Sequence, residues 1–217
     1  MTAPDIIGHL KQTADESRLE GMKRYGINTS KALGVSMPEL RALAKTIGKD
    51  HQLALELWKT EIHECRILAS VVDDYKQVTP KQMDKWVADF DSWDVCDQAC
   101  GNLFDRVPFA AEKALEYCKS EHEFVKRAGF VLIAEFAVHN KKASDDVFIQ
   151  FLPVIEREAW DDRNFVKKAV NWALRQIGKR NKTLLPLAIQ TAGRVRNQGS
   201  RPAKWIASNA LAELEKR

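Results

Sequence analysis

Two tryptophans, one aspartate and a handful of cations hold most of the chemistry available to this sequence. In Ser92-Trp93-Asp94-Val95-Cys96-Asp97, Trp93 and Asp97 are four residues apart, so on a helix an indole and a carboxylate share one side. Gly101 follows at the next turn and removes bulk beside the carboxylate, which suits either a large ligand approaching closely or a tight helix crossing. Asp97 fits equally a surface acid paired with a lysine. A second centre lies between residues 161 and 179. Placed about 100° apart, Val166, Ala169, Val170, Ala173, Leu174 and Ile177 form one stripe, while Lys168, Trp172, Arg175 and Lys179 gather opposite. An indole among three cations can hold a sugar or base while the cations anchor phosphates, or it can be packed by a neighbouring helix. In 121–138, Arg127 projects roughly opposite the apolar stripe Val125, Ala128, Gly129, Leu132 and Phe136, near Val131 and Ala134. That surface fits a helix interface with a snorkelling cation or an approach surface for a phosphate.

Helices must position these groups, because nearly every segment has apolar spacing near 3.6 and none alternates with period 2. The pattern predicts helices at about 4–16, 18–25, 37–47, 50–59, 61–73, 80–90, 92–105, 109–119, 121–138, 145–157, 161–179, 182–193 and 201–216. Thr79-Pro80-Lys81-Gln82 reads as a cap, a first-turn proline and a capping-box glutamine; Ser36-Met37-Pro38-Glu39 and Ser144-Asp145-Asp146 open other helices. Phe124-Val125-Lys126-Arg127-Ala128 recurs as Phe165-Val166-Lys167-Lys168-Ala169, 41 residues later. A period near 40 is that of two-helix HEAT and armadillo repeats, whose stacking makes a curved, concave surface. The expected fold is therefore all-α, a solenoid of HEAT-like antiparallel helix pairs, with residues 1–217 forming one domain and no linker-like run dividing them.

Charge is unevenly placed. Residues 163–217 hold 13 Lys and Arg against Glu213 and Glu215, whereas residues 1–162 hold 21 basic and 28 acidic residues. Such asymmetry resembles an electrostatic footprint for nucleic acid, although a solvated face or an acidic protein partner would produce it too. With 45% hydrophobic residues the chain is too apolar for a disordered segment, yet it has no run of ~18 apolar residues to span a membrane. Acidic residues occupy MTAPDIIGHLKQTADES where a signal peptide needs an apolar core, which places the chain in the cytosol. Cys65, Cys96, Cys100 and Cys118 fall inside helical stretches as small core residues; Cys96 and Cys100 with His63 fit no usual zinc spacing, so no metal is expected. Gly-x-Ser-x-Gly, His-Glu-x-x-His and phosphate-cradling glycine loops are absent, which leaves triad and metal hydrolysis unsupported.

Trp93-Asp94-x-x-Asp97, Lys126-Arg127-Ala128 and Lys168-Ala169-x-x-Trp172-x-x-Arg175, with Leu40-Arg41-x-x-Ala44-Lys45 earlier, resemble the AlkD family of HEAT-like bacterial DNA alkylation-repair glycosylases. The likeness runs from about Gly26 to the final helix. It implies a concave, basic face gripping duplex DNA, and removal of N3- and N7-alkylated purines without base flipping, by a monomer with no cofactor in the bacterial cytosol or nucleoid. By position, it implies that Trp93 and Trp172 cradle the deoxyribose, that Asp97 is the catalytic carboxylate and that Arg127 is its neighbour, a cation that would favour its ionised form. Arg175 and Arg41 would hold phosphates, with Lys168 and Lys179 on the same basic face. Some family members keep the fold with little or no glycosylase activity, so the alternative is a non-catalytic module for damaged or branched DNA.

Overall fold

The structure is a computed structural model and describes residues 1–217. Its elements are all helical, and its contacts cluster into two compact units, Met1–Val107 and Pro108–Arg217. The first unit holds α1 (Ala3–Gln12), α2 (Ser17–Arg24), α3 (Met37–Ile47), α4 (His51–Lys59), α5 (His63–Val72), α6 (Pro80–Ala88), α7 (Trp93–Asn102) and a 3₁₀ turn, Phe104–Arg106. The second holds α8 (Ala110–Tyr117), α9 (Glu123–His139), α10 (Asp145–Ile149), α11 (Leu152–Glu158), α12 (Asn164–Arg180), α13 (Leu184–Asn197) and α14 (Arg201–Leu214). No helix is long and apolar enough to cross a membrane.

Local chemistry explains most boundaries. Ser36 accepts from the Glu39 N–H while the Glu39 carboxylate accepts from the Ser36 N–H, closing a capping box at α3. At α6 Thr79 caps the Gln82 N–H at 3.1 Å, but Gln82 does not complete the box. Its amide is turned to the buried Asp73 carboxylate instead, with Nε2 donating at 2.7 Å, because a buried carboxylate left without a donor costs more than an N–H that water can reach. Ser144 precedes α10 without a side-chain cap bond. The single helix expected over 145–157 is two. Pro153 has no N–H for the Ile149 carbonyl and its ring would crowd that carbonyl, so α10 stops at Ile149 and α11 restarts with the proline in its first turn.

In the first unit α5 packs against α3, α4 and α7, and all its residues except Val71 are buried. Trp58 of α4 stacks on Trp86 of α6 with ring centroids 4.0 Å apart, and its indole N–H donates to Asp89 at 2.9 Å. In the second unit α9 packs against α8 and α12, and Lys126 through Ala134 are all buried. The apolar stripe expected on α9 is therefore not the only covered side. Val125 is half-buried, whereas Val131 and Ala134, roughly opposite the stripe, are fully enclosed along with Lys126 and Arg127, because both α8 and α12 pack on this helix. Gly129 allows the close α8–α9 crossing: a Cβ there would lie 2.6 Å from the Cys118 nitrogen.

The repeat period reappears as contacts. Within the second unit, side chains bond to groups 36 to 43 residues away in Asn181–Asp145, Arg127–Phe165, Asn171–Asn209, Arg175–Glu213, Arg163–Glu121 and Arg180–Ala137. Each helix pair is thus fastened to the next by polar bonds as well as by its apolar face.

Candidate functional site

Helix α7 presents its first chemical centre as the sequence pattern requires. Val95, Cys96, Ala99 and Cys100 form its buried side, and Trp93, Asp97 and Gly101 lie on a partly exposed side at successive turns. All four cysteines are buried free thiols. The Trp93 indole N–H donates to the Tyr25 carbonyl oxygen at 3.0 Å. An indole has one donor and no acceptor, so this bond uses its single polar hydrogen-bonding group.

On α12 the predicted stripe is the core: Val166, Ala169, Val170, Ala173, Leu174 and Ile177 are each at most 1% exposed. Lys168 is exposed, and Trp172, Arg175 and Lys179 are half-buried, so Trp172 belongs to the cationic side and not to the stripe. Two of those cations are already engaged. Glu213 of α14 takes the Arg175 guanidinium at 2.7 Å and the Lys179 ammonium at 2.9 Å. The Lys179 bond, with help from both positive charges, holds the Glu213 carboxyl below its usual range despite partial burial. Arg175 Nε is buried without a hydrogen-bond partner. Glu213 was not singled out from the sequence, although it is one of only two acids after residue 162 and lies at the repeat offset from Arg175.

Of the two surfaces that periodicity allows Arg127, the structure shows the helix interface. Arg127 is 5% exposed, and its Nη1 donates to the Phe165 carbonyl oxygen at 2.7 Å, which fastens α9 to α12 near the rings of Phe124 and Phe165. Neighbouring Lys126 is 1% exposed and pairs with Glu158 at 2.9 Å and Asp161 at 3.5 Å. Arg41 is exposed on α3. Trp93 and Asp97 thus share a face of the first unit, while Arg127 and the Lys168–Trp172–Arg175–Lys179 side are built by α9, α12 and α14 of the second.

The sequence model of a family described as DNA alkylation repair enzyme matches residues 6–214. A solved structure is similar in fold, with a TM-score of 0.79 and 18% identity over 89% of this chain and 83% of that one. It is described as a new family of proteins related to the HEAT-like repeat DNA glycosylases, with affinity for branched DNA structures. No curated protein matches the chain. With the matched residues running from α1 to the last residue of α14, the chain belongs to the DNA alkylation repair enzyme family and has the HEAT-like helical fold.

Proposed function

We propose that residues 1–217 act as one monomeric DNA glycosylase domain in the bacterial cytoplasm, releasing N3- and N7-alkylated purines from duplex DNA without flipping the base. The observation that carries this reading is the α7 face, where an indole with its N–H already bonded stands one turn from a carboxylate. An alkylated purine of this kind is cationic and leaves readily, so the chemistry needs little acid catalysis. Charge grows on the sugar instead, as it becomes oxocarbenium-like. Asp97 stabilises that charge and orients water, and Trp93 and Trp172 offer electron-rich faces to the sugar. Water adds to C1′ as the bond to N9 breaks; the bonding pair neutralises the purine, and the proton that the water loses passes to solvent. Arg127 supports the carboxylate electrostatically, while Lys168, Arg175, Lys179 and Arg41 hold phosphates and so provide sequence-independent, salt-sensitive affinity.

A second reading is favoured by the solved relative with affinity for branched DNA: the same helices binding branched or damaged DNA without cleavage. Incubation with randomly methylated duplex DNA separates the two. Free 7-methylguanine in solution supports the glycosylase, whereas tight binding to a junction with no released base supports the binding module.

A further inference from the structure

We infer that His63 and Glu64, in the first turn of α5, are positioning residues that fix the orientation of Trp93 through the chain segment from Tyr25 to Gly34. The inference rests on the reading of Trp93 as part of the glycosylase machinery. Both residues are buried, at 6% and 1% exposure, although a histidine and a glutamate at a helix start ordinarily face water.

Glu64 grips the segment. Its carboxylate accepts from the Leu33 N–H at 2.9 Å and from the Gly34 N–H at 2.8 Å, and next to it the His63 N–H donates to the Lys31 carbonyl at 3.0 Å. Gly34 has φ +76, and a Cβ there would sit 2.1 Å from the Asp15 carbonyl oxygen, so the backbone that meets Glu64 is also pressed against Asp15, whose N–H donates to the Leu33 carbonyl at 2.9 Å. His63 grips α7. Its Nε2 lies 2.8 Å from Asp94 Oδ2 in the first turn of that helix. The other Asp94 oxygen accepts from the Ser92 hydroxyl at 2.6 Å, and the Ser92 oxygen accepts from the Asn28 N–H at 3.3 Å. Asn28 Nδ2 adds a bond to Asp91 at 2.8 Å.

The bonds close a ring from α5 to the segment, from the segment to α7, and from α7 back to α5. At the edge of this ring the Tyr25 carbonyl receives the Trp93 N–H. Turning the indole would break that bond; the Tyr25 carbonyl is held on one side by the last bonds of α2 and on the other, three residues on, by Asn28, through which it joins the ring that ends on Glu64 and His63. Regular secondary structure does not hold residues 27–36, so these side chains supply the order that a helix would otherwise provide. An aromatic face held in one orientation before substrate arrives loses less freedom on binding.

The test compares His63→Ala, Glu64→Ala and His63→Gln, whose amide nitrogen can occupy the place of Nε2. Two quantities are read: hydrogen exchange of the Trp93 indole N–H, identified by its loss in Trp93→Phe, and single-turnover release of 7-methylguanine with DNA Kd measured alongside. The alanine variants are expected to speed indole exchange about tenfold and to slow release about tenfold at unchanged Kd, with His63→Gln restoring most of both. Unchanged exchange in folded alanine variants overturns the inference, as does faster exchange with unchanged release. If the alanine variants fail to fold, Ser92→Ala, which deletes only the hydroxyl between Asn28 and Asp94, is expected to raise exchange about threefold; an unaltered rate overturns the inference equally. A wild type that releases no base defeats the glycosylase reading, and the exchange measurement still decides whether His63 and Glu64 hold Trp93.

Discussion

Residues 124–128 and 165–169 have nearly the same sequence and opposite fates. Each opens a 17-residue helix, α9 or α12, and each places a lysine over an indole: Lys126 over Trp160 at 5.5 Å and Lys167 over Trp205 at 5.6 Å. There the likeness ends. Lys126 is sealed in with Glu158 and Asp161, and Arg127 beside it bonds a carbonyl of α12. Lys167 remains partly exposed with only the exposed Asp162 at 3.4 Å, and Lys168 is open to solvent. The basic pair of one pentapeptide is therefore cement in one repeat, while in the next its second member, Lys168, faces solvent. The neighbours decide, since α9 is covered along its whole girth by α8 and α12.

The largest effect should come from the buried member of the pair. Lys126→Ala removes a buried ammonium from two carboxylates that keep only Arg157 and Arg163 as partners, and should lower unfolding free energy in urea by about 1–3 kcal/mol. Lys167→Ala, which removes a long 3.4 Å pair to the exposed Asp162, should cost less, about 1 kcal/mol. Equal losses would break the comparison.

Charge buried in the first unit sharpens it through pH. Burial pushes the His63 pKa down, but the Asp94 hydrogen bond and charge, with the charges of Glu64 and Asp91, outweigh it and leave the value raised. Its stabilisation is therefore complete below the unfolded histidine pKa of about 6.5 and fades as pH rises through the higher folded value. Burial likewise raises the Asp94 carboxyl, and His63, the Ser92 hydroxyl and the Val95 N–H lower it overall. That contribution is complete above about pH 4 and is lost as pH falls through the lower folded value. Thermal unfolding should show the wild type losing stability above about pH 6.5, and His63→Gln should flatten that limb.

Smaller effects belong to the exposed cations. Glu213→Gln weakens the hold on Arg175 and Lys179 and should tighten DNA binding about threefold at low salt. Lys168→Ala should leave stability unaltered and reduce the slope of log K against log salt by about 1. A change in melting temperature with no change in slope would make Lys168 structural, like Lys126.

The same contrast explains what the sequence reveals. The α12 stripe and the Trp172 side were legible because that helix is amphipathic, and the side-sharing of Trp93 and Asp97 followed from spacing alone. Helix α9 was less legible, because apolar residues also lie outside its main stripe, and periodicity alone fits Arg127 to a helix interface or to an approach surface; the Phe165 carbonyl, 38 residues on, makes it an interface. Gln82 illustrates a second cause: its local capping role loses to Asp73, a partner nine residues away. Glu213, Asn171 and the His63–Asp94 pair act through contacts some 30 to 40 residues apart, which no local pattern encodes until the repeat offset is known.

The most direct test of the central claim is single-turnover release of 7-methylguanine from a methylated duplex by the wild type and by Asp97→Asn, with DNA affinity measured on the same duplex. Release by the wild type, at least about tenfold slower release by the variant, and affinities that agree within about twofold are expected. Equal release by the two proteins, or none by either, would contradict that claim.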